Sequence, residues 1–275
     1  MRVVTLLPSA TDIVAALGAG ENIVGVSHSC SDEWKHLPAL TSTIVDYGAP
    51  SADIDDQVKQ ADAPLYDLDI ETLEALRPDV VISQSLCDVC AVASGDVEEA
   101  VKTISSRPAL INLSPFGLSD VPQGFLDVGA AIGHEAEAAA LTESWTRRLS
   151  DIQGKYQTRP PVPIAFLDWL DPPFAAGHWI PDMITLIGGT SVLAKSGEPS
   201  REITWDDVRD AKPDIVIAAC CGFETGRAGQ DKIPDDIDVH LLDGQDYFSR
   251  PGPRLLDSID MLAAKIDALT GWEKT

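Results

Sequence analysis

Apolar and polar positions alternate in blocks along the first hundred residues, and the blocks read as strands and helices in turn. Val3–Leu7 is a short apolar run rich in β-branched residues. Ser9-Ala-Thr-Asp12 comes next as a capping-box-like helix start, with Asp in place of the usual Glu or Gln, and the helix runs to Leu17 before Gly18 stops it. Ile23–Val26, Tyr66–Leu68 and Asp79–Ser83 are the next strands. Unbroken apolar strands separated by helices predict parallel sheets covered on both faces.

An internal echo organises the rest. Glu71-Thr-Leu-Glu-Ala-Leu-Arg-Pro78-Asp-Val-Val-Ile82 resembles Asp206-Asp-Val-Arg-Asp-Ala-Lys-Pro213-Asp-Ile-Val-Ile217, at a constant offset of 135 residues. Each copy is a short helix, ended by Pro, that feeds a buried strand. The period is too long for a solenoid and predicts two similar α/β lobes, 1–118 and 159–275. Between them, Gln123 to about Tyr156 lacks Pro and keeps Phe125, Val128, Ile132, Leu141, Trp145, Leu149 and Ile152 at helical spacing. One long connecting helix within 119–158 is expected, with Gly133 its weak point and Pro122 in its first turn. At 1.5 Å per residue it would span about 50 Å, a strut rather than a loose linker. The second lobe reads as strands Ile164–Leu167, Asp214–Ala218 and Val239–Leu242, a helix Ile180–Ile187 closed by Gly188-Gly189, and a last helix Pro253–Leu269. Leu255, Ile259, Leu262, Ile266 and Leu269 mark one face of that last helix.

Ligands of open parallel sheets bind beyond the carboxyl ends of the strands. The residues just past each strand are therefore informative. Ser9 lies past the first, His28 and Cys30 past the second, and Gln84, Cys87 and Cys90 past the fourth. In the second half, Trp169, Phe174, His178 and Trp179 come after one strand, Cys220, Cys221 and Phe223 after another, and Tyr247, Phe248 and Arg250 after the last. Facing rims of this kind form a cleft with aromatic walls and polar hooks, the usual makeup of a small-molecule site. His28 or His178 can offer an imidazole to a metal, or hydrogen-bond to loop backbone and ligand amides. Arg250 either grips an acidic group of a ligand or pairs with one of the many neighbouring acids. Cys87-x-x-Cys90 is a two-thiol spacing for metal or redox exchange, but no second such pair exists to complete a zinc site.

Composition narrows the function class. The chain of 275 residues is 44% hydrophobic and 23% charged, an ordinary globular balance. Asp and Glu number 44 against 20 Lys and Arg, a formal charge of -24 that repels phosphate backbones and argues against nucleic acid. The acidity fits either a very soluble protein or a surface that meets a basic partner. No apolar run is long enough to span a bilayer, so no membrane insertion is expected. Five cysteines fit a reducing compartment, and the opening residues lack a leader pattern. These features predict a cytoplasmic location, or a periplasmic or cell-surface one if a leader was trimmed. There is no G-x-S-x-G elbow, Walker loop, G-x-G-x-x-G after a strand or H-E-x-x-H, which argues against an enzyme.

The segments RVVTLLPSATDIVAALG, VGVSHSC, ETLEALRPDVVIS, the long helix, GHWIPDMITLIGG, ITWDDVRDAKPDIVI and DYFSRPGPRLLDSIDMLA, in that order, resemble cobalamin-binding proteins. These belong to the helical-backbone class of periplasmic binding proteins, whose relatives carry corrinoids, haem, siderophores and metal ions. The resemblance implies two Rossmann-like lobes, a rigid backbone helix, and capture of a cobalamin-like corrinoid or related metal chelate between the lobes. It implies no required cofactor, a monomer, and delivery to an ABC importer permease, or else a cytoplasmic carrier. In such receptors an acidic residue on each lobe engages the transporter, and these positions fall at Glu71 and Asp206. Both also suit the positive end of a helix. The alternative keeps the fold and makes the cysteine-rich cleft a metal site or a thiol-dependent enzyme.

Overall fold

A computed structural model of the chain describes residues 1–86, 91–223, 225–228 and 231–272. In order, the first half contains β1 (Val3–Thr5), α1 (Pro8–Ala16), β2 (Ile23–Val26), β3 (Thr41–Thr43), α2 (Ser51–Gln60), β4 (Tyr66–Leu68), α3 (Ile70–Leu76), β5 (Val80–Gln84), α4 (Ser94–Thr103) and β6 (Ala109–Leu113). Then come α5 (Val121–Ile132), α6 (Glu135–Tyr156), β7 (Val162–Leu170), β8 (Pro173–Ala175), α7 (Ile180–Leu186), β9 (Gly189–Ser191) and β10 (Arg201–Glu202). The chain ends with α8 (Trp205–Ala211), β11 (Ile215–Ala218), α9 (Thr225–Ala228), β12 (Val239–Leu241) and α10 (Leu255–Thr270). The residues divide into two compact units: 1–46, 57–114 and 120–144 in unit 1, and 47–56, 115–119 and 145–275 in unit 2.

Unit 1 is built on a parallel sheet in the order β2-β1-β5-β6. Val3, Val4, Val81 and Ile82 are wholly buried, as unbroken β-branched runs in a covered parallel sheet should be. Unit 2 has a sheet in the order β10-β8-β7-β11-β12, with β9 paired to β7. Its centre is parallel, whereas β8 folds back antiparallel on β7 and β10 on β8, so this sheet is mixed. The α/β class with two sheet-bearing halves matches the expectation.

The echo is a structural repeat. α3 and α8 have the same length, each has a side-chain N-cap (Asp69 and Thr204), and each ends on a left-handed residue, Arg77 or Lys212. Each then passes through Pro into a strand that pairs in parallel with the first strand of its unit, Val3 opposite Val80 and Ile164 opposite Ile215.

Several local expectations change. Ser9 does not cap α1: Leu7 is the N-cap, without a side-chain cap bond, and Ser9 lies inside the first turn. Pro8 explains the shift, because its fixed φ and missing N–H suit the first helical position. Tyr66–Leu68 is a strand, but it pairs antiparallel with β3 and lies outside the parallel sheet. The single long helix is two: Gly133 adopts φ 74 and closes α5, and α6 starts afresh at Glu135. A left-handed residue ends an α-helix, and glycine carries that conformation at little cost. In α10, Leu255, Ile259, Leu262 and Ile266 are fully buried, but Leu269 is 40% exposed. No helix among the described residues is long and apolar enough to cross a membrane.

Candidate functional site

The carboxyl end of the unit 1 sheet is a web of neutral hydroxyls. Leu6 N–H still donates to Ile82, then Pro8 turns the chain into α1. Thr5 and Thr11 share a hydrogen bond of 2.7 Å, and Thr11 lies 3.3 Å from Cys30 Sγ. His28 Nδ1 is 2.7 Å from Thr41 Oγ1, whose hydroxyl also meets Ser27 at 3.1 Å. Burial lowers the pKa of His28, so the ring is neutral at neutral pH. His28, Ser27, Ser29 and Tyr66 line a cavity of about 20 Å³, room for a water-sized group. The Ser9 hydroxyl is buried without a hydrogen-bond partner. Gln84 is buried at the end of β5, where its side-chain oxygen accepts from Leu86 N–H.

The corresponding end of unit 2 is aromatic and carries charge. β7 runs past its parallel partner to Asp168 and Trp169 before the turn into β8. Trp169 is half-buried with its ring 4.8 Å from that of Phe223. Burial pushes the Asp168 carboxyl up to about 6, against the opposing effect of the hydroxyl that Ser200 donates to it. Ser200 Oγ in turn accepts from Gly177 N–H at 3.0 Å. Next to it, His178 N–H donates to Glu198 O and Gly197 N–H to His178 O. A Cβ on Gly177 would stand 2.3 Å from Glu198 O, so only glycine lets the two segments meet.

This clasp fixes His178 at φ 50, a left-handed conformation. Its ring stands 6.3 Å from Phe116 and 5.7 Å from Trp179, measured between centroids. Phe116 is 49% exposed. Among the described residues neither nitrogen of the His178 ring has a hydrogen-bond partner, and burial lowers its pKa.

The other expected residues fall differently. Trp179, Phe223 and Phe248 are core side chains: Trp179 Nε1 donates to Phe248 O at 3.0 Å, and Phe248 packs on Phe166. Phe174 and Tyr247 are half-buried, and Arg254 lies over the Tyr247 ring. Arg250 is buried, paired with Asp246 at 2.7 Å and donating to Gln245 O at 2.8 Å. Cys30 and Cys220 are buried in different units, and Cys221 is half-buried. Cys87 and Cys90 lie outside the described residues. Among the described residues no cluster of three or more His, Cys, Asp or Glu is arranged to hold a metal ion. Glu71 and Asp206 are exposed in the first turns of α3 and α8, and Asp206 pairs with Arg209 at 2.7 Å.

Sequence reasoning missed Phe116 and Ser200. The apolar run Ala109–Leu113 before Pro115-Phe116-Gly117 was the available signal for the first, because it makes Phe116 one more residue beyond a strand. Ser200 sits in a polar loop with no pattern that sets it apart.

The sheet orders and the repeat define a protein of two α/β halves with polar and aromatic strand ends. The chain belongs to the periplasmic binding protein family, whose pattern it matches over residues 3–239. It is therefore a binding protein of that class and not an enzyme. It is 21% identical over 269 residues to the vitamin B12-binding protein of Vibrio cholerae serotype O1, covering 95% of this chain and 87% of that one. The fold is similar to the crystal structure of the periplasmic vitamin B12 binding protein BtuF of Vibrio cholerae, with a TM-score of 0.68, 17% identity and 98% of each chain covered. It is similar to the same degree to the periplasmic heme-binding protein RhuT from Roseiflexus sp. RS-1 in apo form, with a TM-score of 0.70, 21% identity and 98% of each chain covered.

Proposed function

We propose that this protein, whose lobes 1–118 and 159–275 are joined through the helical segment 119–158, captures a cobalamin-like corrinoid and hands it unaltered to an ABC importer. The observation that carries the reading is the near full-length likeness to vitamin B12-binding proteins. The half-buried Trp169, Phe174 and Tyr247 beyond strand ends support it, because a corrinoid offers broad apolar faces that aromatic rings cover and amide arms that polar groups hold. His28 and Gln84 supply such groups in unit 1. Glu71 and Asp206 are the acidic contacts proposed for basic residues of the permease. Delivery to an importer places the protein outside the cytoplasmic membrane, whereas a cytoplasmic carrier would fractionate with the cytosol.

Haem is the second reading, favoured by one observation: the heme-binding protein from Roseiflexus is as similar in fold as the vitamin B12-binding one. Calorimetric and absorbance titration of the purified chain with cyanocobalamin and, separately, with haemin decides between them. Saturable one-to-one binding of cyanocobalamin at micromolar or lower concentration is the expected result. Saturation by haemin alone overturns the corrinoid in favour of a porphyrin.

A further inference from the structure

We infer that the amino terminus of α1 is a subsite for an oxyanion, a phosphate or carboxylate group carried by the ligand. This rests on the reading of the strand ends as the ligand site and goes beyond it by assigning the part of the ligand that unit 1 holds.

The first turn of a helix leaves amide donors without a partner inside the helix. In α1 they stay that way. Leu7 is the N-cap and has no side-chain acceptor to offer, and Pro8 at the first position has no N–H. Thr11 N–H makes the first bond back into the turn, to Leu7 O. Between Pro8 and Thr11, the Ser9 and Ala10 amides have no hydrogen-bond partner among the described residues. The Ser9 hydroxyl has none either, although Ser9 is only 2% exposed. Asp12, the capping partner expected from the sequence, forms no hydrogen bond with Ser9. Three donors of two buried residues thus gather in one turn without an acceptor. Buried donors are normally satisfied, so this group calls for a reason.

Topology and charge point the same way. The chain leaves β1 through α1 for β2 on one side of the sheet, and β5 lies on the other side of β1. The crevice beyond such a change of direction is where open α/β sheets take ligands, and the helix that follows the strand offers its amino terminus to an anion there. Every helix longer than α1 among the described residues carries an acid in its first turn or as its N-cap, whereas α1 carries none. The strand-end segments 6–9, 27–31 and 84–86 contain no Asp, Glu, Lys or Arg, and burial keeps His28 neutral. In a chain of formal charge -24 this is an uncharged window, and it leaves the helix dipole free to favour a negative group.

N–H and O–H donors at a helix start hold an oxyanion by hydrogen bonds alone, with no cation beside it. Both readings of the ligand supply such a group. The nucleotide arm of a cobalamin carries a phosphodiester, and haem carries propionate carboxylates.

The first test does not depend on the whole ligand. Inorganic phosphate, titrated into the intact protein and followed by amide NMR, should move the Ser9 and Ala10 signals saturably. Ser9→Ala removes one donor and should weaken this response about tenfold. Ser9→Asp, whose carboxylate suits a helix amino terminus and repels the anion, should abolish it. Signals that stay still, or a response that Ser9→Asp leaves intact, overturn the inference. The second test compares cyanocobalamin with dicyanocobinamide, which lacks the phosphodiester, and haemin with its dimethyl ester, which lacks the free carboxylates. The intact protein should bind the anionic member of the pair more tightly, and Ser9→Asp should reduce that preference about tenfold. A preference that Ser9→Asp leaves unchanged puts the anionic group elsewhere and overturns the inference. If phosphate moves the two signals while neither macrocycle binds, the oxyanion site stands and the reading of the ligand as a corrinoid or haem fails.

Discussion

The two units bury different kinds of polar residue. Among the described residues, those buried in unit 1 are neutral: Thr5, Ser9, Thr11, Ser27, Thr41, Ser83 and Gln84. Unit 2 buries Ser51 and Ser258 as well, but adds two arginines, Arg159 and Arg250, and largely shields the Asp168 carboxylate. Yet both units are framed by the same helix–Pro–strand repeat, docked at the same place on the sheet. Even the tie from the helix to the segment ahead of the outer strand is kept, with the charge of its helix residue reversed. Glu74 accepts from Ser105 N–H in unit 1, and Arg209, its counterpart in the repeat, grips Asp236 with two hydrogen bonds in unit 2. The repeat supplies a frame, and what differs between the halves is the chemistry each frame carries. Neutral hydroxyls can form a web that needs little from solvent, whereas a buried charge must be paired to be tolerated.

The largest expected effect tests that contrast. Arg159 donates to Ile187 O at 2.8 Å, pairs with Asp267 of α10, and lies over the rings of Tyr156 and Trp272 at 4.3 and 4.8 Å. It joins the end of α6 to α7 and α10. Burial lowers its pKa, but an arginine starts so far above neutrality that it stays charged. Arg159→Leu removes the cation beside Asp267, leaving it the Tyr156 hydroxyl, and the donor to Ile187 O, and should cost about 3–5 kcal/mol of unfolding free energy. Thr5→Val, which breaks the Thr5–Thr11 hydrogen bond in unit 1, should cost about 1 kcal/mol. Urea titration of both variants measures the gap. Equal costs would mean that the two kinds of buried polar residue matter alike and would remove the contrast.

Asp168 gives the next effect and a sign. An ordinary Asp titrates near 4. In the fold it titrates at about 6 because burial disfavours its charged form. The folded chain therefore binds a proton more tightly than the unfolded chain between these values. This group favours the fold at low pH, and that contribution is lost as pH rises from about 4 to about 6, with no further change above. Asp168→Asn keeps an acceptor for Ser200 and removes the charge. Above pH 6 the variant should exceed the parent by about 1–3 kcal/mol, and the difference should vanish near pH 4. Urea midpoints across that range give the result, and parallel pH profiles for variant and parent would show that the carboxylate is not destabilised by its site.

The frame was easier to read in the sequence than the chemistry, for a physical reason. The repeat was visible because its signals are local: a cap, a Pro and a β-branched run at fixed spacing. β2 and β11 were recognised to within a residue on the same grounds. β8, β9 and β10 were missed because strands of two or three residues carry too short a pattern for alternation to register. Gly133 stood out as the weak point of the helix although the apolar spacing continues across it, and its φ shows that the helix ends there. Among the site candidates, residue type marked the strand-end aromatics but could not sort Trp169, half-buried, from Phe223, which is core. Nor could it separate His28, whose ring is hydrogen-bonded, from His178, whose ring nitrogens have no partner among the described residues. The ring partner of His28 is Thr41, a residue distant in sequence and unremarkable in type.

The smallest expected effect lies in the repeat itself, where the two halves look most alike. The N-cap of α3 is Asp69, whose carboxylate accepts from Thr72 N–H at 2.9 Å and from the Thr72 hydroxyl at 2.6 Å. These bonds, the hydroxyl's first, hold its pKa below the ordinary value. The N-cap of α8 is Thr204, whose hydroxyl accepts from Asp207 N–H at 3.1 Å, while the Asp207 carboxylate accepts from Thr204 Oγ1 and N–H, both at 2.7 Å. Those bonds lower the pKa of Asp207 in the same way. A lowered carboxylate pKa means a contribution present at neutral pH and lost as pH falls through the folded value. In α3 the group that titrates is the acceptor of the helix N–H, whereas in α8 that acceptor is a hydroxyl, which does not titrate. Acid should therefore release the Thr72 amide to hydrogen exchange while the Asp207 amide keeps its protection. Both caps are solvent-exposed, so the change is local and small beside the buried pairs. Amide exchange rates, corrected for the intrinsic effect of pH, read it residue by residue. Equal loss of protection at Thr72 and Asp207 would show that the hydroxyl cap depends on its reciprocal carboxylate, and that the two halves respond to acid as one motif after all.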